Sequence, residues 1–185
     1  MLLKVDENIT LELLEEKHAD AIFSIISANR VYLREWLPWV IKMQTIEDFK
    51  EFIIGYQVRC VNNFDISFVI IYDGELVGRI GIYDIDNTNK IASIGYWLGE
   101  KFTGKGIISR SCITILNYCF YTLNMNRIEI KCATMNFKSQ AIPLKLNFIN
   151  EGIIREGEFI HNHFIDLYCF SILKKEWDKK SKIIC

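Results

Sequence analysis

The spacing of hydrophobic residues predicts one strand and two helices in the first third of the chain. Ile9 to Leu14 alternates between apolar and polar residues, as a half-buried strand does. Lys17 to Arg30 then carries its apolar residues at helical spacing. Thr45 opens the next helix, because its hydroxyl can accept a hydrogen bond from the amide of Asp48 while the Asp48 carboxylate reciprocates. We expect this second helix to run to about Cys60.

The middle of the chain has the pattern of an antiparallel meander. Ile66 to Tyr72 is rich in β-branched and aromatic residues, which favour strands. Asp73-Gly74 follows and is a strong signal for a two-residue hairpin turn. The chain returns as a strand from Leu76 to Tyr83, and a polar turn leads to a third strand, Ile91 to Leu98. We therefore expect these three strands to be neighbours in one sheet.

Helices and strands alternate through the rest of the chain. A single apolar face predicts a long helix from Ile107 to Leu123, and a shorter one is expected from Asn136 to Leu146. The remaining predicted strands are Ile128–Thr134, Gly152–Phe159 and Ile165–Leu173. This order indicates an α+β (mixed α/β) fold with a central, mostly antiparallel twisted sheet flanked by helices. A length of 185 residues suits one domain, residues 1–185.

Composition excludes several classes of protein. Half of the residues are hydrophobic, which is enough for a large core. The 22 basic and 23 acidic residues give a net charge of −1, without the basic excess that nucleic-acid-binding proteins usually have. Acidic residues interrupt the N-terminus, and no apolar run approaches the ~18 residues of a membrane span. We therefore expect a cytoplasmic protein that binds neither nucleic acid nor a membrane.

Cysteine and histidine spacing gives no reason to expect a metal. The six cysteines form no C-x-x-C pair. Four of them lie in apolar runs and are predicted to be small core residues, namely Cys112, Cys119, Cys132 and Cys169. His161 and His163 would share one face of a strand, but two ligands without a third make a poor metal site. A loop or a substrate cleft is the better interpretation for both.

A glycine loop separates a predicted strand from the long helix. Gly104 and Gly106 let a ligand approach the backbone, and the free amides at the helix start attract a phosphate or pyrophosphate. The chain lacks the GxxxxGK[ST] pattern of a P-loop, and Ser109 stands where a dinucleotide-binding fingerprint has glycine. Alone, a GxG pair is a weak signal and favours an ordinary tight turn before a helix.

Further along the chain, Asn136 and Ser139 open the short helix, where helix capping alone would explain either residue. Their placement after the glycine loop resembles the GNAT acetyltransferases. The acyl-CoA motif of that superfamily, Q/R-x-x-G-x-G/A, is matched by residues 101–106 with Lys101 at the first position. The chain is most similar in pattern to the RimJ/RimL branch, the ribosomal-protein alanine and serine N-acetyltransferases. The segments that carry this resemblance are LREWLPW (33–39), IGYWLGEKFTGKGI (94–107), NRIEIKCATMNFKSQAIPLKLNF (126–148) and DLYCFSILKKEW (166–177).

The resemblance implies a GNAT fold and transfer of acetyl from acetyl-CoA to a primary amine. The expected acceptor is the N-terminal α-amine of a protein such as a ribosomal protein. The thioester is expected in a wedge where the strand ending at Leu98 splays from the strand beginning at Ile128. The cosubstrate-binding residues implied by the resemblance are Trp97, Leu98, Lys101, Phe102, Thr103, Gly104, Lys105, Gly106, Asn136 and Ser139.

Two catalytic residues are implied by the same resemblance. Glu158 matches the general base proposed for the branch, and a carboxylate in a partly apolar cleft has the raised proton affinity that suits this role. Glu35, beside Trp36, is its main rival, and a solvated strand-end carboxylate is the structural alternative for Glu158. Ser139, in the N-x-x-S pattern, matches the donor to the departing thiolate that is proposed for the branch. Many GNAT enzymes instead use a tyrosine on the helix after the asparagine, and this helix contains none.

Pro143 makes a testable prediction about that helix. If Asn136 caps it, Pro143 lies in its interior and the carbonyl of Ser139 loses its helical N–H partner. We then expect a kink and an unpaired carbonyl that faces the cosubstrate cleft. The alternative is a helix that begins near Ser139, with Pro143 in its first turn.

The acceptor and the oligomeric state stay open at this point, a homodimer included. A polyamine or an aminoglycoside would favour an acid-rich groove, whereas a peptide N-terminus needs an open groove with backbone partners. A non-catalytic acyl-CoA-binding module would keep the glycine loop and lose groups such as Ser139 and Glu158.

Overall fold

Eight strands form one sheet in the described structure, a computed structural model that describes residues 1–61 and 65–181. The strands are β1 (Leu2–Lys4), β2 (Ile9–Leu13), β3 (Ile66–Tyr72), β4 (Glu75–Asp86), β5 (Ile91–Leu98), β6 (Arg127–Ala133), β7 (Ile149–Ile160) and β8 (His163–Leu173). The helices are α1 (Ala19–Ala28), α2 (Arg30–Arg34), α3 (Ile46–Val61), α4 (Ile107–Asn117), α5 (Phe137–Lys145) and α6 (Lys174–Ser181).

The sheet order is β1-β2-β3-β4-β5-β6-β8-β7. Neighbouring strands are antiparallel except for β5 and β6, which run parallel. This confirms the predicted mostly antiparallel sheet. The chain passes from β5 to β6 through the glycine loop and then α4. The glycine loop therefore lies directly after the end of β5.

Local signals in the sequence fix several elements. Asp73 and Gly74 have φ angles of 50° and 79°, which makes the predicted two-residue turn between β3 and β4. The Thr45 hydroxyl accepts from the Asp48 amide at 3.2 Å, and the Asp48 carboxylate accepts from the Thr45 amide at 2.8 Å. This capping pair starts α3 as expected.

Four parts of the chain differ from the sequence prediction. The helix predicted from Lys17 to Arg30 is α1 and ends at Ala28, and α2 follows it as a separate short helix that was not predicted. The helix predicted to Leu123 is α-helical only to Asn117, before a π-helical turn continues to Thr122. β1 was not predicted because three residues are too few to show a period. α6 was not predicted because its sequence, KKEWDKKS, is polar apart from Trp177.

Two hydrophobic clusters cover the two faces of the sheet. One contains residues of α4 and of the segment after α5, and the other contains residues of α1 and α3. Cys112, Cys119 and Cys132 are buried as predicted. Cys169 is only partly buried, so the prediction that it is a core residue was wrong. Cys185 lies outside the described residues. No helix in the described ranges is long and apolar enough to cross a membrane.

Candidate active site

The glycine loop turns the chain from β5 into α4. Gly104 and Gly106 both have left-handed backbones, with φ of 77° and 72°, a conformation that costs other residues energy. Gly106 is the N-cap residue of α4. A Cβ atom at Gly104 would meet no atom within 4 Å, so open space lies over the loop. The loop therefore exposes its backbone as the sequence predicted.

Backbone hydrogen bonds within the loop reduce the number of free amides. The amide of Phe102 donates to the Gly99 carbonyl at 3.0 Å, and that of Thr103 donates to the Glu100 carbonyl at 3.1 Å. Within the described residues, no acceptor contacts the amides of Gly104, Lys105 and Gly106. The buried Phe102 ring anchors the loop in the core. Among the implied cosubstrate-binding residues 102–106, the backbone amides that remain available to a phosphate are those of Gly104, Lys105 and Gly106.

Charged side chains brace this loop. Lys101 forms an exposed ion pair with Glu75, its Nζ 2.8 Å from the carboxylate. Arg110 contacts Asp6 at 2.5 Å and donates to the carbonyls of Lys105 at 3.3 Å and Gly106 at 3.4 Å. Sequence reasoning missed Arg110, although its position four residues after Gly106 places it one turn into α4 and above the loop.

A wedge opens between β5 and β6. The two strands pair only at Ile91–Ser93 with Arg127–Glu129, and no register continues beyond that point in the described structure. The amide of Gly99 donates to the Val77 carbonyl, and this bond shows which residues of β5 direct their backbone N–H and C=O groups toward β4. Since alternate residues bond to opposite neighbours, the backbones of Tyr96 and Leu98 face the wedge, whereas that of Trp97 faces β4. The predicted splay is confirmed.

Four polar side chains meet at the start of α5. The Asn136 side chain caps the helix by accepting from the Ser139 amide at 3.0 Å. The Ser139 hydroxyl lies 3.2 Å from Cys132 Sγ and 3.5 Å from the Tyr96 hydroxyl. Burial raises the pKa of Cys132 to about 11, so this thiol keeps its proton at neutral pH. Ser139 therefore lies between two protonated groups.

Pro143 lies inside α5, so the alternative of a helix beginning near Ser139 was wrong. The Ser139 carbonyl lacks a helical partner as predicted, but it is not unpaired. It accepts a hydrogen bond from the Tyr96 hydroxyl at 3.0 Å, which corrects the prediction of a free carbonyl. At the C-terminus of α5, Asn147 adopts the expected left-handed conformation, with φ of 55°.

Two cavities lie on the side of α2 and the β7–β8 hairpin. The larger, of about 470 Å³, is lined by Val31, Arg34, Glu35, Ile41 and His161. The smaller, of about 340 Å³, is lined by Trp36, Ala133, Thr134, Met135, Glu156, Phe164, Ile165 and Asp166. The structure therefore brings Glu35 and His161 together, and places Trp36 beside the end of β6. These cavities are the candidate acceptor site.

Glu158 lies on β7 opposite Ile165, next to a bulge in the strand. Burial raises the pKa of its carboxyl, the direction expected for a general base in an apolar cleft. Glu156 on the same strand lines the smaller cavity, and His161 in the turn after β7 lines the larger one. Glu158 itself is not among the described lining residues, whereas its rival Glu35 is.

The two histidines do not sit on one strand face. His161 has a left-handed backbone with φ of 52° in the two-residue turn, and His163 starts β8 with its Nδ1 3.2 Å from the His161 carbonyl. No group of three or more His, Cys, Asp and Glu residues in the described ranges has the arrangement of a metal site. Of the two alternatives, a loop or a substrate cleft, the loop position is confirmed for His161, and its role in an acceptor cleft stays a prediction.

A family model described as an acetyltransferase (GNAT) domain matches residues 8–149. The chain belongs to this family. A putative ribosomal N-acetyltransferase of Bacillus subtilis, YdaF, is 36% identical over 95% of the chain and 96% of its own length. The ribosomal-protein-serine acetyltransferase of Escherichia coli is 30% identical over 91% and 94%. The microcin C7 self immunity acetyltransferase MccE, solved with acetyl-CoA and AMP, is 29% identical over 92% and 95%, with a TM-score of 0.88.

As a GNAT acetyltransferase, the protein is an enzyme whose cosubstrate is acetyl-CoA. The chain's residues fit that cosubstrate. Three free amides and open space at the glycine loop suit a pyrophosphate, and the free backbone of Tyr96 and Leu98 suits the amides of pantetheine. The direct roles of Trp97, Lys101 and Asn136 toward acetyl-CoA stay predictions.

Asn136 offers a first test of this GNAT site. Asn136→Ala removes the cap of α5 and is expected to lower the free energy of unfolding by about 1 kcal/mol. Asn136→Asp keeps an acceptor for the Ser139 amide but loses the Nδ2 donor, so we expect nearly full stability with weaker acetyl-CoA binding. Denaturant unfolding and calorimetric titration with acetyl-CoA measure the two effects. Equal acetyl-CoA affinity in the Asp variant and wild type would leave Asn136 as a cap only.

Proposed function

We propose that this enzyme acetylates the N-terminal α-amine of a protein, with ribosomal proteins as the natural targets. The observation that carries the proposal is the larger cavity, which is open and lined by a guanidinium (Arg34), an imidazole (His161), one acid (Glu35) and two apolar side chains. Such a lining suits a peptide terminus better than a polycation, which would favour an excess of acids. The relatives named as ribosomal N-acetyltransferases support the same acceptor. The proposed location is the cytoplasm.

The reaction assigns one role to each end of the site. Glu158 takes a proton from the acceptor ammonium, and the neutral amine forms a C–N bond with the acetyl carbon while the C–S bond breaks. The Ser139 hydroxyl donates a hydrogen bond to the departing thiolate. The nitrogen loses a second proton once the C–N bond has formed, and this proton neutralises the thiolate, while the first proton passes from Glu158 to solvent. The backbone N–H groups along the wedge polarise the acetyl carbonyl. Acetyl-CoA supplies the activated acetyl group.

One observation favours a small polyamine as a second candidate. The smaller cavity contains two acids, Glu156 and Asp166, and no basic lining residue among those described. A cationic amine would be attracted there. Glu156 and Asp166 also interact with each other, because the Glu156 amide donates to the Asp166 carboxylate at 2.8 Å. That bond gives the Asp166 carboxylate a structural role as well.

The acceptor is tested by acetyl-CoA turnover with matched substrates. We expect peptides with a free N-terminal Ser or Ala to be acetylated, and the same peptides with a blocked N-terminus and an internal Lys to be inert. Mass spectrometry of ribosomal proteins incubated with the enzyme should show a single added acetyl group at an N-terminus. A higher kcat/KM for spermidine or an aminoglycoside than for every peptide and ribosomal protein would contradict the proposal.

A further inference from the structure

Tyr96 joins the sheet to α5 at the residue proposed as the thiolate's donor. Its side chain packs against the core on the α4 side, and its hydroxyl donates to the Ser139 carbonyl at 3.0 Å. Burial raises the pKa of Tyr96 well above its usual range, so the hydroxyl stays protonated. The bond crosses from β5, one wall of the wedge, to the helix that follows β6.

This hydrogen bond depends on Pro143. In a regular helix the carbonyl of Ser139 would accept from the N–H of residue 143, but proline has none. A partly buried carbonyl without a hydrogen-bond donor is unfavourable, and the Tyr96 hydroxyl donates to this one instead. Pro143 thus leaves this carbonyl to a donor that comes from another element of the fold.

The same contact sets the surroundings of the Ser139 hydroxyl. Tyr96 has one hydroxyl proton, which goes to the carbonyl, so toward Ser139 Oγ at 3.5 Å its oxygen can only accept. Cys132 Sγ is the second neighbour, at 3.2 Å. Both contacts are long or weak, and the Ser139 proton can leave them for a stronger acceptor such as a thiolate. The Cys132 thiol can then donate to Ser139 Oγ in return.

We propose that Tyr96 is a positioning residue: by bonding the Ser139 carbonyl that has no helical donor, it holds the first turn of α5 so that the Ser139 hydroxyl faces the wedge. The inference rests on the proposed role of Ser139 as donor to the thiolate. It does not depend on the identity of the acceptor, since it concerns only the leaving-group side of the reaction. Any amine that the wild-type enzyme acetylates therefore serves for the test.

The test combines removal of the Tyr96 hydroxyl with restoration of the helical N–H. Tyr96→Phe should lower kcat about tenfold with KM for acetyl-CoA changed less than about twofold, as expected from slight misplacement of a reacting group. Pro143→Ala alone should change kcat little. The double variant Tyr96→Phe/Pro143→Ala should recover most of the lost kcat, because the N–H of residue 143 then bonds the Ser139 carbonyl. Tyr118→Phe, a matched loss of a hydroxyl on the same core face, should leave kcat unchanged.

A further pair of variants separates this inference from the proposed function. If Ser139→Ala lowers kcat, adding Tyr96→Phe to it should cost less than about twofold more, since the two residues act as one unit. An unchanged kcat in Ser139→Ala would overturn the donor role itself, and the positioning role with it. Three results would overturn the inference while leaving the donor role intact. Tyr96→Phe could lower the melting temperature without lowering kcat, or Pro143→Ala could fail to restore the kcat of Tyr96→Phe. The losses of kcat in Tyr96→Phe and Ser139→Ala could also be additive in the double variant.

Discussion

Glu158→Gln is expected to lower kcat by about a hundredfold at pH 7, while acetyl-CoA binding stays the same. Glutamine keeps the shape of the side chain but cannot take a proton from the acceptor ammonium. The residue lies on β7, away from the glycine loop, so the donors that would contact the pyrophosphate are not altered. Steady-state kinetics and calorimetric titration with acetyl-CoA measure the two quantities separately.

The raised pKa of Glu158 also predicts in which direction activity and stability change with pH. Burial raises the pKa of the Glu158 carboxyl, so the wild-type enzyme should lose activity on acidification at a higher pH than an ordinary glutamate would. At high pH more of the acceptor amine is already neutral, and the gap between variant and wild type should narrow. Because the folded-state pKa is raised, this carboxyl destabilises the fold once it is ionised, at pH above that pKa. Glu158→Gln should therefore be at least as stable as wild type at pH 7.

Glu35→Gln is the matched control, since Glu35 lines the larger cavity. If Glu158 is the base, Glu35→Gln should raise KM for the acceptor and leave the acid limb of the pH profile in place. Full activity of Glu158→Gln at pH 7, together with loss of that limb in Glu35→Gln, would transfer the role of base to Glu35.

Much of the fold was predictable because local chemistry and burial favour the same structure. The Asp73-Gly74 turn, the Thr45–Asp48 pair and the Asn136 cap are set by residues close together in the chain, and the structure confirms each. The divisions inside helices were not predictable, because the apolar stripe along residues 107–122 is continuous whether the backbone is α or π. The short β1 is stabilised by pairing with β2, which no local pattern records.

The candidate site was predictable in its backbone but less so in its side-chain contacts. Two closely spaced glycines predict a loop with exposed amides. That the amides of Phe102 and Thr103 are already hydrogen-bonded depends on a 3-10 turn within the loop, which the glycines do not predict. The position of Pro143 in the sequence predicts that the Ser139 carbonyl lacks a helical donor. The donor that replaces it, Tyr96, is 43 residues away in sequence, and only the tertiary fold brings the two residues together. Such long-range contacts have no period for a sequence to display.

Gly106→Val is expected to weaken acetyl-CoA binding more than tenfold, because the new side chain stands beside the three free amides of the loop. It is also expected to cost about 1–2 kcal/mol of stability, since φ at this residue is 72° and a side chain resists the left-handed region. The space itself is open, with the nearest atom to an added Cβ, Arg110 Nε, 4.0 Å away. Strain and obstruction of the ligand must therefore be separated by experiment.

Gly74 supplies the control for strain. It has a φ of 79° in the turn between β3 and β4, and an added Cβ there would likewise meet no atom within 4 Å. Gly74→Val should therefore cost a similar amount of stability and leave the dissociation constant for acetyl-CoA unchanged. Gly106→Asn supplies the control for obstruction, because asparagine tolerates the left-handed region better than valine. It should fold nearly as well as wild type and still bind acetyl-CoA more weakly. If all three variants bind acetyl-CoA as wild type does, the loop does not hold the pyrophosphate, and the free amides of Gly104, Lys105 and Gly106 serve only the turn into α4.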